Sequence, residues 1–313
     1  MNPNRKDLLG IQDLSKEEIG EILTTAESME EILKRPIKKA PTLRGITIAN
    51  LFFEPSTRTL NSFALAEKRL SADSINLSAS SSSVLKGETL LDTAKNIEAM
   101  EVDIIVIRHS TPGAPHFLAN RLDASVVNAG DGCHEHPTQA LLDLMTIKKK
   151  FSKIKDLEVA IIGDIKHSRV ARSLILGLNK MGAKVTVCGP PTLIPQWMDP
   201  FESKVEYNFE EVLKGKNILY LLRIQKERQK ESFLPSIREY IKSYCLTYEK
   251  LKKFASPDVV IMHPGPINRG VEIESRVADS EYSLILNQVI TGVAIRMSIL
   301  YLLSKRKIDG FND

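Results

Sequence analysis

Residues 54–59 read Glu-Pro-Ser-Thr-Arg-Thr and follow an apolar run that ends at Phe53. Such a segment, opening a helix, is an anion site in waiting. The first N–H groups of a helix have no intrahelical partner, and the aligned peptide dipoles put positive potential there. Ser56, Thr57 and Thr59 add hydroxyl donors, and Arg58 adds a permanent cation whose fork suits phosphate oxygens. Helix capping accounts for one such hydroxyl. Three of them flanking an arginine point to a bound anion.

A second cluster, Asp131-Gly-Cys-His-Glu-His136, brings Cys133, His134 and His136 close together in sequence. That composition suits a metal, yet no compact ligand set completes it, and neither zinc-finger nor HExxH spacing is present. No metal is therefore expected. No feature nearby would lower the pKa of Cys133 and make it a nucleophile. His136 before Pro137 has two readings: punctuation of a helix start, or a ligand-facing donor backed by Gln139. The gap-free segment Ile161-Ile-Gly-Asp164 raises a nicotinamide-binding alternative, but it holds one glycine where the dinucleotide fingerprint needs three.

These residues need a scaffold, and the apolar pattern supplies one. Ser15 with Glu18 forms a capping box before Ile19, Ile22, Leu23, Ala26, Met29 and Leu33 at helical spacing. Strand-length apolar runs follow at 45–53, 103–109 and 124–130, with helices at 57–70 and 137–150. The series then restarts, with strands at 158–164, 184–189, 217–223 and 258–263, a helix from about 168 to 181 and a last one from about 283 to 304. Near-continuous apolar strands alternating with amphipathic helices are the mark of buried parallel sheets. The 313 residues suit two domains, divided near the basic helix end at Lys148–Lys155. In such α/β sheets ligands bind beyond the carboxyl ends of the strands. The chemically informative residues fall there.

Ser-Thr-Arg-Thr after a strand, with Phe63 six residues beyond Thr57, resembles the aspartate/ornithine carbamoyltransferase family. The likeness continues through 81–89 (Ser-Ser-Ser-Val-Leu-Lys-Gly-Glu-Thr), Arg108-His-Ser, His136-Pro-Thr-Gln and 163–169 (Gly-Asp-Ile-Lys-His-Ser-Arg). It ends with 223–228 (Arg-Ile-Gln-Lys-Glu-Arg) and 263–270 (His-Pro-Gly-Pro-Ile-Asn-Arg-Gly). Each segment is short; their joint order and spacing is specific. The resemblance implies two doubly wound α/β domains with the active site between them. Residues 1–150 would bind carbamoyl phosphate, residues 151–287 aspartate, and a helix at about 288–313 would pack back on the first domain.

The reaction so implied is attack of an amine on the carbonyl carbon of carbamoyl phosphate, an early step of pyrimidine (UMP) synthesis if the amine is aspartate. Carried over by the resemblance, Arg58 stabilises the leaving phosphate with Ser56, Thr57 and Thr59. Arg108 bridges phosphate and carbonyl oxygen, His136 and Thr59 donate to that oxygen, and Gln139 and the backbone at Pro266 hold the carbamoyl NH2. Ser82 and Lys86 would reach into the neighbouring subunit's site, making the enzyme at least a homotrimer. No cofactor is implied, and the likeness leaves room for a separate regulatory chain.

The second substrate needs its own reasoning. Two carboxylates call for several cations, and Lys86, Arg169 and Arg223 supply them, with Gln225 as a neutral donor and Gly265 beside them. An ornithine enzyme must receive a cation, which that branch of the family does with an Asp and a Cys near the His263 motif. Here the motif reads His-Pro-Gly-Pro without cysteine. An ornithine or diamine substrate, and a non-catalytic relative, stay open as alternatives. The sequence departs from the family at Leu60 and Ala64, where an i,i+4 charged pair is usual. The loss of ion pairing amounts to about 0.2–0.5 kcal/mol, and an apolar pair replaces it.

The bulk composition fits this reading. The apolar share is 42% and the charged share 26%, as in ordinary globular proteins. The apolar stretches look strand-sized and the N-terminus lacks a signal core, so neither a membrane span nor export is expected. Three scattered cysteines fit a reducing cytoplasm. The net charge of +4 is spread along the chain without interleaved aromatics, which argues against nucleic acid as a partner.

Overall fold

The computed structural model describes residues 5–78, 87–225 and 236–309. Two compact units emerge, one of residues 1–145 and 290–313, the other of residues 146–289. Both are α/β, and every strand pairing in their sheets is parallel.

In the first unit the elements run α1 (Lys16–Lys34), β1 (Thr47–Phe52), α2 (Thr57–Leu70), β2 (Asp73–Ser78), α3 (Leu90–Glu98), β3 (Ile104–His109), α4 (Ala114–Ala119), β4 (Ser125–Asp131) and α5 (Pro137–Phe151). The capping box of α1 is present in both directions, with Ser15 Oγ accepting from Glu18 N–H and Glu18 accepting from Ser15 N–H. The sheet order is β2-β1-β3-β4. The core strands are buried on both faces, as helices on either side of a parallel sheet require. Ala49, Leu51, Ile105, Ile107 and Val126 share one cluster with Ala94, Ile97 and Leu118 from α3 and α4.

The second unit continues with β5 (Glu158–Ile162), α6 (Arg169–Lys180), β6 (Lys184–Cys188), β7 (Lys204–Glu206), α7 (Phe209–Leu213) and β8 (Ile218–Leu221). It is completed by α8 (Ile237–Tyr244), α9 (Tyr248–Phe254), β9 (Val260–Met262) and α10 (Ser275–Ala278). Its sheet order is β7-β6-β5-β8-β9. The last helix, α11 (Ile285–Asp309), carries the chain back to the first unit from Ile290 onward. Ser298 Oγ donates to Ile22 O of α1 at 2.8 Å, and Arg296 Nη1 to Ser62 Oγ of α2 at 2.9 Å.

Helix α11 corrects one expectation. Residues 285–305 are long and apolar enough to cross a membrane, so the apolar stretches are not all strand-sized. Its apolar residues, among them Ala294, Ile295, Met297, Leu300 and Leu303, are buried inside the unit. A core helix wrapped by its own domain has the same composition as a span.

Each sheet has one place where the strand order reverses. In the first unit the chain steps from β1 outward to β2 and then crosses back to β3, so the switch lies between β1 and β3. In the second the switch lies between β5 and β8, since β6 and β7 go one way and β9 the other. Connections diverge at such a point and leave a crevice beyond the strand ends.

Candidate functional site

The segment expected to bind an anion borders the first crevice. Strand β1 ends at Phe52 and α2 begins at Thr57, so residues 53–56 form the connecting turn. Ser56 holds the N-cap position but makes no side-chain cap bond; its hydroxyl donates to Thr59 Oγ1 at 2.9 Å instead. The hydroxyls are thus linked to one another across the helix start, rather than spent on the α2 backbone as ordinary capping would have them. Thr59 is buried, whereas Thr57 and Arg58 are exposed.

Across the switch, Arg108 is the register partner of Phe52. Its guanidinium is nearly buried and bound on two sides, Nη2 donating to Glu54 Oε1 at 2.8 Å and Nη1 to Ala129 O at 3.2 Å. His109 turns away, stacking edge-on with Phe53 at 5.5 Å and accepting at Nδ1 from Thr111 N–H. Burial lowers its pKa, which keeps that acceptor nitrogen unprotonated.

Strand β4 delivers the third part. His136 is buried directly before Pro137, the first residue of α5, and its carbonyl accepts from Gln139 and Ala140 N–H. Proline suits that first position, where no intrahelical donor is needed. Gln139 Nε2 donates to Asp143 Oδ1 at 3.1 Å. A carboxylate only accepts, so this bond fixes which way the amide points and leaves Oε1 as the end able to accept from a ligand N–H. Ser56, Thr57, Arg58, Thr59, Arg108, His136 and Gln139 therefore all follow, or end, the adjacent strands β1, β3 and β4. Ser82 and Lys86 lie outside the described residues.

The second crevice holds the residues expected to meet dicarboxylate. Arg169 opens α6 behind the N-cap Ser168, whose hydroxyl accepts from Ala171 N–H, and its side chain is almost fully buried. Arg223 and Gln225 follow β8, with Arg223 Nη2 3.4 Å from Gln225 Oε1. Buried Asp164 ties the two sides together. Its Oδ2 accepts from Gln225 N–H at 3.1 Å, and its Oδ1 contacts His167 Nδ1 at 2.8 Å. Gly163 allows this closeness, for a Cβ there would stand 2.7 Å from Leu222 O, at a φ of +129°. Gly265 and Pro266 follow β9. His263 Nδ1 accepts from Gly265 N–H at 2.8 Å, so its Nε2 carries the proton toward Glu272 Oε1 at 3.1 Å. Residues 226–228, including Arg228, lie outside the described residues.

The sequence reading gave no role to three residues: Glu54 and Asp164, which stand inside the quoted segments, and Asp143. Each is bonded to one of the expected site residues: Glu54 to Arg108, Asp143 to Gln139 and Asp164 to Gln225. Asp143 alone had a local signal, standing one helical turn after Gln139.

Sequence and fold match known proteins. The family model described as "Aspartate/ornithine carbamoyltransferase, carbamoyl-P binding domain" matches residues 6–149. That described as "Aspartate/ornithine carbamoyltransferase, Asp/Orn binding domain" matches residues 155–303. The aspartate carbamoyltransferase catalytic subunit of Syntrophotalea carbinolica is 57% identical over 96% of this chain and 96% of its own. That of Syntrophus aciditrophicus is 58% identical over 97% and 99%. Among solved structures, aspartate transcarbamoylase from Trypanosoma cruzi in complex with N-(phosphonacetyl)-L-aspartic acid superposes with a TM-score of 0.86 at 29% identity, covering 95% of both chains. Ornithine carbamoyltransferase from Pyrococcus furiosus gives 0.83 at 30%, covering 95% of this chain and 96% of that one.

Proposed function

The chain belongs to the aspartate/ornithine carbamoyltransferase family, and from that premise we propose that it is the catalytic chain of an aspartate carbamoyltransferase. The reaction joins carbamoyl phosphate and L-aspartate to give N-carbamoyl-L-aspartate and phosphate, an early step of pyrimidine synthesis. The observation that carries the choice of aspartate is identity of 57–58% over nearly the whole chain to aspartate carbamoyltransferase catalytic subunits.

The neutral aspartate amine attacks the carbonyl carbon, a C–N bond forms, and the bond from carbon to the phosphate oxygen breaks. The departing phosphate collects the amine proton, so no protein base is needed. Arg58 and the hydroxyls of Ser56, Thr57 and Thr59 take up charge on the phosphate, while Arg108, Thr59 and His136 donate to the carbonyl oxygen as it becomes an oxyanion. Gln139 Oε1 and the Pro266 carbonyl accept from the carbamoyl NH2, which orients the carbon for attack. Arg169, Arg223 and Lys86 meet the aspartate carboxylates, with Gln225 and the Gly265 backbone completing that pocket. The active form is a cytoplasmic homotrimer in which Ser82 and Lys86 act on a neighbouring subunit's site.

The test offers carbamoyl phosphate with aspartate, ornithine or putrescine in parallel and identifies the ureido product. Carbamoyl-aspartate alone is expected. Citrulline or carbamoyl-putrescine as the main product overturns the choice of substrate.

A further inference from the structure

The turn after β4 carries a second set of chemistry-bearing side chains, and the substrate-binding set uses none of them. His116 of α4, Asp131 at the end of β4 and His134 in the following turn place one ligand atom each within 4.8 Å of one another. We infer that these three residues bind one divalent transition cation, zinc first among them, with water completing a four-coordinate shell.

Two imidazoles and a carboxylate are the donor set that zinc takes at an open site. Asp131 Oδ2 and His134 Nδ1 stand 3.0 Å apart, near the roughly 3.3 Å that separates two ligands on a tetrahedral ion. Only His116 has to swing inward. Its Nδ1 is shut off from solvent and has no hydrogen-bond partner among the described residues. Its ring already meets the His134 ring edge-on, centroid to centroid 5.5 Å. A buried ring nitrogen without a partner is unfavourable in itself.

The surroundings hold the donors in place. Asp131 Oδ1 accepts from Asn128 Nδ2 at 2.9 Å and Glu135 N–H at 3.0 Å, and Oδ2 accepts from Gly113 N–H at 2.7 Å. Such outer bonds orient a ligating carboxylate. The Gly113 that contacts Asp131 is also the N-cap of α4, the helix that carries His116. Gly132 seals the two loops together, since a Cβ there would lie 2.6 Å from the Pro112 ring. His116 and His134 are half-buried, which leaves a path for the ion and its water. In sequence the cluster looked incomplete because its third donor stands fifteen residues before Asp131, on α4; Cys133 and His136, its neighbours in sequence, are not part of the set.

The test uses the full-length protein stripped with a chelator. It is titrated with zinc chloride by calorimetry, and with cobalt chloride by visible absorption, where four-coordinate cobalt gives intense bands. One ion per chain, a raised Tm with zinc and those cobalt bands are expected. His116→Gln and, independently, His134→Gln should each weaken binding by about a hundredfold or more, as loss of a ligand exceeds the 10–100-fold of outer-shell changes. Both should keep the parent's circular dichroism and its turnover in chelator. Cys133→Ser should bind like the parent. Uptake below one ion per chain, or undiminished uptake in His134→Gln, overturns the inference, as does loss of binding in Cys133→Ser. If His116→Gln fails to fold, the His134→Gln and Cys133→Ser pair decides by the same criteria.

Discussion

Glu54 Oε1 lies 2.8 Å from Arg108 Nη2, bridging the turn after β1 to the end of β3. The carboxylate follows one strand of the switch and the guanidinium ends the other, so the pair spans the crevice mouth. Both are mostly withdrawn from water, with side chains 22% and 11% exposed. A guanidinium held this way has a fixed orientation. On the proposed role of Arg108, orientation set before the substrate arrives would let it stabilise the transition state.

Glu54→Gln keeps the size of the side chain and removes its charge. The expected result is a fall in kcat of about tenfold, ~1.4 kcal/mol in barrier, with KM for aspartate nearly unchanged. Steady-state kinetics against each substrate checks this. A kcat within twofold of the parent means the pair holds the fold and not the reaction.

Arg223 concerns the other crevice. Arg223→Ala should raise KM for aspartate far more than for carbamoyl phosphate, because a carboxylate loses its charged partner. A stable analogue joining a phosphonate to aspartate should bind the parent more tightly than either substrate does, since it engages both sets of residues. Should the KM for carbamoyl phosphate rise as much as that for aspartate, Arg223 does not select the second substrate.

The three cysteines should separate by reactivity. Burial pushes the Cys188 thiol up to about 12 and the Cys245 thiol up to about 11. The thiolate is the reactive form, so at pH 8 both stay protonated in the folded protein. Brief alkylation of native protein followed by peptide mass mapping should leave Cys188 and Cys245 unmodified, and denaturant should expose both. Rapid native modification of either would show that its helix and strand open far more readily than their packing implies.

What the sequence made legible follows from what is local. Arg58 with its three hydroxyls is contiguous, and β1, β3, β4 and β5 announce themselves as unbroken apolar runs. Strand β2 escaped because Asp73–Ser78 alternates polar and apolar residues at a sheet edge, and β7, also an edge, is only three residues long. The roles of Glu54 and Asp164 depend on which strands become neighbours. Glu54 meets Arg108 only because β1 pairs with β3, and Asp164 meets Gln225 only because β5 pairs with β8. Parallel neighbours far apart in the chain leave no short-range signal. His116 is hidden for the same reason, its distance to Asp131 being set by the packing of α4 at the end of β4. Helix α11 was legible as the last helix at about 283–304; only its apolar length was under-read.

Subunit sharing of the site is the remaining proposal, implied by the family resemblance for Lys86, which stands in the serine-rich stretch before α3. Suppose each site takes Arg58 from one chain and Lys86 from the next in a closed ring of three. Arg58→Ala alone should lose about 10²–10³ in kcat, the usual loss for one transition-state donor, and Lys86→Ala should be similarly weak. A ring that contains both variants has one junction where an intact Arg58 chain meets an intact Lys86 chain, and that junction is a normal site. With random reassembly at equal amounts, about three quarters of rings are mixed and each has one good site in three, so about a quarter of all sites recover. Co-refolding the two variants should therefore restore activity toward that ceiling, while refolding each alone should not. Hybrid trimers verified by native mass spectrometry that stay as inactive as the separate variants would mean that Lys86 serves its own chain.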